Sequence, residues 1–370
     1  MIIETSEELA KECMKASVKD YIAFDTEFSR QKGVYYPIPS LIQFSYDGSS
    51  VVICDMLKKL DWQPLIQIFT NDRVEKVFHS IKQDLDVIYK LFGIKPKNIF
   101  DVQIAAMFLG DYNVPSYDLL VKDFLYEKVD KSLQFSNWMA RPLSHAQIEY
   151  AKKDVTYLYH LMPKIKTKLG DLKFNWFQDE MNAILEYDLN QNVQSILNKT
   201  LFRLINLKKR ITPRYIWILE FIIRWREEYA LKNDKIRNAI IDSNAICDFA
   251  YSIEIHFGEW QKLSKGKIKR QIIHGLKVEL EKNDTIDFSE YEKLIELSLK
   301  KRRIMCANPE IYLSLKTLLQ KCSIASGIHP SIICGKSDII DIIIKQSLDT
   351  KLNSGWRYEV FGRYALELLQ

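Results

Sequence analysis

The stretch YIAFDTEF, residues 21–28, sets the frame for what surrounds it. Apolar residues, mostly β-branched or aromatic, lead up to two acids, Asp25 and Glu27. That composition predicts a buried strand. The period of two along a strand puts both acids on one face of the sheet. Two carboxylates there are costly without a cation, because burial disfavours the charged form.

Working outward, SLIQFSY (40–46) and SSVVICDM (49–56) read as two more strands, joined as a hairpin by a short turn at Asp47-Gly48. WQPLIQIFTN (62–71) is helical, and VEKVFH (74–79) is a strand leading into a helix over 84–93 that Gly93 closes. IFDVQIAAMFLG (99–110) is a short strand feeding a helix. A long amphipathic helix follows over 144–169, with Ser144 as N-cap and Gln147 completing a capping box. The order β-β-β-α-β-α, then helices, predicts an α/β domain: a mixed sheet with helices packed on it. From about residue 175 strand signals vanish. Segments 176–205, 213–232 and 238–256, and several between 289 and 370, have helical periodicity. Polar breaks near 206–212 and 282–288 (Lys282, Asn283, Asp284) suggest two small all-α units.

With 370 residues, 47% hydrophobic and 27% charged, the chain is neither disordered nor fibrous. Its apolar runs are broken by charge well short of the roughly 20 residues of a membrane span. The opening MIIETSEELAKEC is acidic and helix-like, which argues against a signal peptide. The six cysteines are scattered with no CxxC pair, so reduced thiols in the cytoplasm are expected.

The net charge is +5, and residues 1–170 carry equal numbers of acids and bases, so the excess lies in the C-terminal half. It is bunched: Lys199, Arg203, Lys208, Lys209, Arg210 and Arg214; then Lys262, Lys265, Lys267, Lys269 and Arg270; then Lys300 to Arg303. One such run is usually a solvated face. Three in one half favour a polyanion partner.

Other acids can join the first two. Asp84 opens the helix after the next buried strand. Tyr150 and Asp154, four apart on the long helix, share a face. Three elements can thus aim Asp25, Glu27, Asp84 and Asp154 at one point, an all-oxygen set suited to Mg²⁺ or Mn²⁺. Spacing alone leaves this weak, since an Asp opening a helix is often a plain cap.

The motifs say more. FDTEF (24–28) followed by YYPIPSLIQF (35–44) resembles the first exonuclease motif of the ribonuclease D family. KVFHSIKQDLDVIYKLFG (76–93) resembles the second, with a His five residues before the essential Asp. WMARPLSHAQIEYAKKDVTYL (138–158) resembles the third, in the Tyr-x-x-x-Asp form of the tyrosine subclass of DEDD 3′→5′ exonucleases. Residues 213–250 resemble a first HRDC domain, and 327–344 with 355–369 a second. The resemblance implies a ribonuclease H-like exonuclease domain over 1–170, a helical linker over 171–205, one HRDC domain over 206–285 and an HRDC-like domain over 289–370.

It further implies two divalent ions, Mg²⁺ or Mn²⁺. Asp25 would bridge both, Glu27 and Asp154 would hold one, Asp84 would help hold the other, and Tyr150 would orient the attacking water. The implied activity is 3′→5′ hydrolysis of RNA, chiefly 3′-extended precursor tRNA, into 5′-mononucleotides, by a cytoplasmic monomer with no membrane and no obligate protein partner. A proofreading-type DNA exonuclease is the alternative enzyme. A non-catalytic RNA-binding protein is a third reading, against which the intact carboxylate set stands. Phe28, His79, Trp138 and Arg141 are candidate substrate contacts. Each has a structural alternative: Phe28 as core, His79 as a satisfied strand-end histidine, Trp138 and Arg141 as supports of the helix entry. Asp101 lies near the site or simply caps its helix.

Overall fold

A computed structural model describes the chain except residues 30–33, 187–196, 198–199, 202–203, 206–210, 283–285, 308–309, 346–347, 349 and 370. Of the first basic bunch, Lys199, Arg203 and Lys208 to Arg210 lie outside the described residues, as do Asn283 and Asp284.

Helix α1 (Ser6–Ser17) precedes strands β1 (Tyr21–Ser29), β2 (Ile38–Ser45) and β3 (Val51–Asp55). Then come α2 (Gln63–Thr70), β4 (Glu75–Phe78), α3 (Lys82–Phe92), β5 (Ile99–Asp101), α4 (Val102–Met107), α5 (Tyr117–Leu125) and α6 (His145–Glu186). The sheet runs β3-β2-β1-β4-β5, with β1 at its centre. β1 pairs antiparallel with β2, opposing Asp25 to Gln43, and parallel with β4. A register shift at Glu27/Phe28 interrupts the ladder with β2, which resumes at Phe28–Pro39 and Ser29–Ile38. The sheet is mixed, as expected.

The β2–β3 connection is longer than a two-residue turn. Ser45 pairs with Val51, so residues 46–50 form the loop. Asp47 accepts the amides of Ser49 and Ser50 at 2.9 and 2.6 Å, which closes the loop locally. Gly48 takes φ +78°, and a Cβ there would meet the His160 ring at 2.7 Å. The hairpin tip is therefore pressed onto α6.

α6 starts as expected. Ser144 Oγ accepts the Gln147 amide at 3.2 Å and Gln147 Oε1 accepts the Ser144 amide at 3.0 Å. It does not end at 169: Gly170, at φ 66°, kinks it, and the helix resumes to Glu186. The buried stripe Ala151, Val155, Leu158, Met162 and Ile165 presses its first part onto the sheet.

The rest of the described chain is helical, with α7 (Pro213–Asn233), α8 (Ser243–Ile255), α9 (Lys267–Lys282), α10 (Ser289–Ala307), α11 (Glu310–Ser326) and α12 (Lys336–Lys345). Two apolar cores form. One lies within residues 197–276. The other joins the five-stranded sheet to residues 315–365. There Phe108 packs between Phe177 (6.3 Å) and Trp356 (5.2 Å), and Glu180 accepts from the Trp356 indole at 3.0 Å and from Arg357 Nη2 at 2.8 Å.

Candidate active site

β1 and α6 cross so that one oxygen each from Asp25, Glu27 and Asp154 lie within 4.8 Å of one another. The strand's alternation puts the first two on one face, and α6 carries Tyr150 and Asp154 one turn apart toward them. The Tyr150 hydroxyl donates to Asp154. Asp84, in the first turn of α3, is outside this trio but lines the same cavity, of about 780 Å³. Asp84 is buried, and its Oδ1 accepts from the Thr26 hydroxyl at 2.7 Å.

Burial drives the electrostatics. It pushes the Asp25 carboxyl up to about 7. Burial, then the charges of Asp25, Asp154 and Asp84, push Glu27 up to about 10. Asp84 and Asp154 are raised well above the carboxylate range by burial first and Asp25 second. Tyr150 is raised too, by burial and then by Asp154. Four acids that repel one another in a cavity of this kind fit a hard divalent cation, whose charge offsets theirs and whose preferred donors are carboxylate oxygens.

Phe28, His79 and Trp138 line the cavity. His79 Nε2 lies 3.2 Å from the Pro115 carbonyl oxygen and its ring meets Tyr117 edge-on, so the imidazole is tied into the wall. Burial lowers its basicity. Trp138 is 2% exposed and its ring sits 5.9 Å from that of Tyr150.

Arg141 has partners within the fold. It is not on the cavity wall; Nε and Nη2 clamp the Asp55 carboxylate at 2.6 and 2.7 Å. Nη1 donates to the Trp138 and Ala140 carbonyls, both at 2.8 Å. The guanidinium fixes the segment entering α6. Asp101 caps α4 through the Gln103 and Ile104 amides, and it accepts the Ser80 and Ile81 amides at 3.1 and 3.0 Å, which sets the entry to α3.

Two residues escape the motif reading. Thr26 hides between the acids of FDTEF. Gln43 is fully buried and donates from Nε2 to Asp25 Oδ2 at 2.7 Å. The one sign of it is a polar residue inside the apolar run SLIQF.

A family model described as 3′–5′ exonuclease matches residues 1–170. Its span contains the sheet, the cavity and every acid above, so the class is that of the 3′–5′ exonucleases. A ribonuclease D of Bartonella henselae is 31% identical over 363 residues, 95% of this chain and 85% of that one. A ribonuclease D of Zymomonas mobilis is 31% identical over 383 residues, 100% of this chain and 94% of that one. The crystal structure of Escherichia coli RNase D, an exoribonuclease involved in structured RNA processing, matches in fold with a TM-score of 0.77 at 24% identity, covering 100% of this chain and 98% of that one. The chain belongs to the ribonuclease D family of metal-dependent 3′–5′ exoribonucleases. Its sheet domain is the ribonuclease H-like exonuclease fold, followed by a helical half.

Proposed function

We propose that this chain shortens RNA from the 3′ end, releasing 5′-mononucleotides, with two divalent cations (Mg²⁺ or Mn²⁺), and that 3′-extended precursor tRNA and other small RNAs are its substrates. The clustering of Asp25, Glu27 and Asp154 within 4.8 Å carries this reading. Those three would hold one cation, and Asp25 with Asp84 the second. When bound, the cations lower the pKa of a water and offset charge on the attacking and leaving oxygens.

The remaining work falls to side chains of this chain. Tyr150, held beside Asp154, orients the attacking water by hydrogen bond. Trp138 backs the Tyr150 ring, and Phe28 and His79 shape the wall beside the terminal nucleotide. We take residues 206–285 and 289–370 as two HRDC-like units that grip RNA beyond the site, after a helical linker over 171–205. The exposed run Lys262, Lys265, Lys267, Lys269 and Arg270 supports this, because phosphate backbones bind such runs through counterion release. We place the protein in the cytoplasm as a monomer. Cys13, Cys54, Cys247, Cys322 and Cys334 are free and buried, which fits a reducing compartment, and light scattering would check the protein's mass.

The test is a time course on 3′-extended tRNA and on matched RNA and DNA oligomers, with and without EDTA. Parental enzyme should yield a one-nucleotide ladder on RNA that EDTA stops. Asp25→Asn should abolish the ladder while RNA affinity holds. A variant that degrades RNA at the parental rate would sink the metal assignment, and faster cleavage of DNA would overturn the RNA reading.

A further inference from the structure

Gln43 lies directly across from Asp25 on β2. It is fully buried, between Ile42 and Phe44, which are buried as well. An amide in such a place is costly unless its polar atoms are paired. Only one end is: Nε2 donates to Asp25 Oδ2 at 2.7 Å, whereas Oε1 has no partner among the described residues. An apolar side chain of similar size would pack there without orphaning an acceptor. The contact that accounts for an amide at this position is therefore the one to Asp25.

The geometry of that contact is directional. Only the NH₂ end of an amide can face an ionised carboxylate, so the pairing fixes which way round Gln43 sits. The same carboxylate also accepts from the Thr26 backbone amide. Two donors restrain this short side chain, whose carboxylate shares the cluster with those of Glu27 and Asp154. We propose that Gln43 is a positioning residue: it pins Oδ2 of Asp25 so that the carboxylate presents a fixed face to the cation site. This rests on Asp25 being a cation ligand, as proposed above. Partners that orient a ligand in this way typically govern metal affinity by about 10- to 100-fold.

The experiment is a titration of the full chain with Mn²⁺, followed by the EPR signal of the free ion. Gln43→Met removes the donor at nearly constant volume. Gln43→Glu keeps the shape but sets a fifth carboxylate against Asp25. Both should bind Mn²⁺ about tenfold more weakly or worse, with parental near-UV circular dichroism. Saturating Mn²⁺ should restore most of the rate of Gln43→Met. Parental Mn²⁺ affinity in either folded variant overturns the positioning role. Asp25→Asn, titrated alongside, tests the metal reading separately: parental affinity there would discard the cation site itself. A measurement on the unaltered protein guards against misfolded variants. With ¹⁵N-glutamine labelling, the Gln43 side-chain amide resonance should shift as Mg²⁺ saturates the site, and an unmoved resonance at saturation also overturns the proposal.

Discussion

The Thr26 hydroxyl donates to Asp84 Oδ1 at 2.7 Å, joining β1 to α3 inside the protein. One tripeptide thus serves two acids directly and orients a third. Thr26→Val keeps the shape but leaves the buried Asp84 carboxyl without that donor. We expect a loss of about 1–3 kcal/mol in unfolding free energy and a lower kcat with KM for RNA little changed. Thr26→Ser should restore both. Urea unfolding and initial rates on one RNA oligomer measure the two effects.

Arg141 separates support from substrate contact. Its partner Asp55 is buried, and the side chain also ties down the Trp138 carbonyl. Arg141→Ala should cost about 2 kcal/mol or more. Arg141→Lys should recover only part of this, because an ammonium cannot reproduce the two-pronged contact. KM for RNA, measured well below the melting temperature, should stay close to parental. A raised KM without a stability loss would assign Arg141 to substrate instead.

The acid cluster sets the sign of a pH effect. In the absence of a cation Asp25 titrates near 7 and Glu27 near 10 in the folded state, against about 4 when unfolded. The folded chain therefore holds protons that the unfolded chain has lost. Stability from these groups is full below pH about 4 and falls as pH rises through 7 and toward 10. In EDTA the melting temperature should drop across that window. Mg²⁺ should raise it most at the alkaline end, where the carboxylates are free to bind. Thermal melts at pH 5 and pH 9, with and without Mg²⁺, decide this. An EDTA melt that gains stability with pH would contradict the cluster's electrostatics.

The second basic run makes opposed predictions for binding and stability. Lys267 begins α9, and Lys269 and Arg270 follow in its first turns, where the helix dipole disfavours positive charge. Changing Lys265, Lys267 and Lys269 to Gln should stabilise the fold slightly, by up to about 1 kcal/mol. It should also weaken RNA binding and reduce the slope of log K against log salt by up to about 2. An unchanged slope would make the run a solvated surface only.

Much of the site was legible because its signals are local. YIAFDTEF declares a buried strand, and Tyr150 and Asp154 declare one helix face. The Ser144–Gln147 box marks where α6 begins. What escaped depends on distant pairing. Gln43 matters only once the antiparallel register sets it across from Asp25, and Arg141 only once Asp55 arrives from 86 residues away. The continuation of α6 beyond Gly170 was hidden for a different reason. A glycine at positive φ usually ends a helix, and here packing of Phe177 and Met181 into the core that contains the sheet carries the helix past it. α5 went unseen because SYDLLVKDFLY is short, with polar residues interrupting its apolar face.

The aromatic seam of Phe108, Phe177 and Trp356 bears on how the protein can be dissected. A fragment stopping at residue 170 would keep every acid yet strip the cover from Phe100 and Phe108, both wholly buried in the intact chain. Such a fragment would present a greasy scar and tend to clump. Losing its activity would then report on solubility and not on catalysis. The smallest piece worth purifying is one that keeps the far C-terminal helices in place against the nuclease.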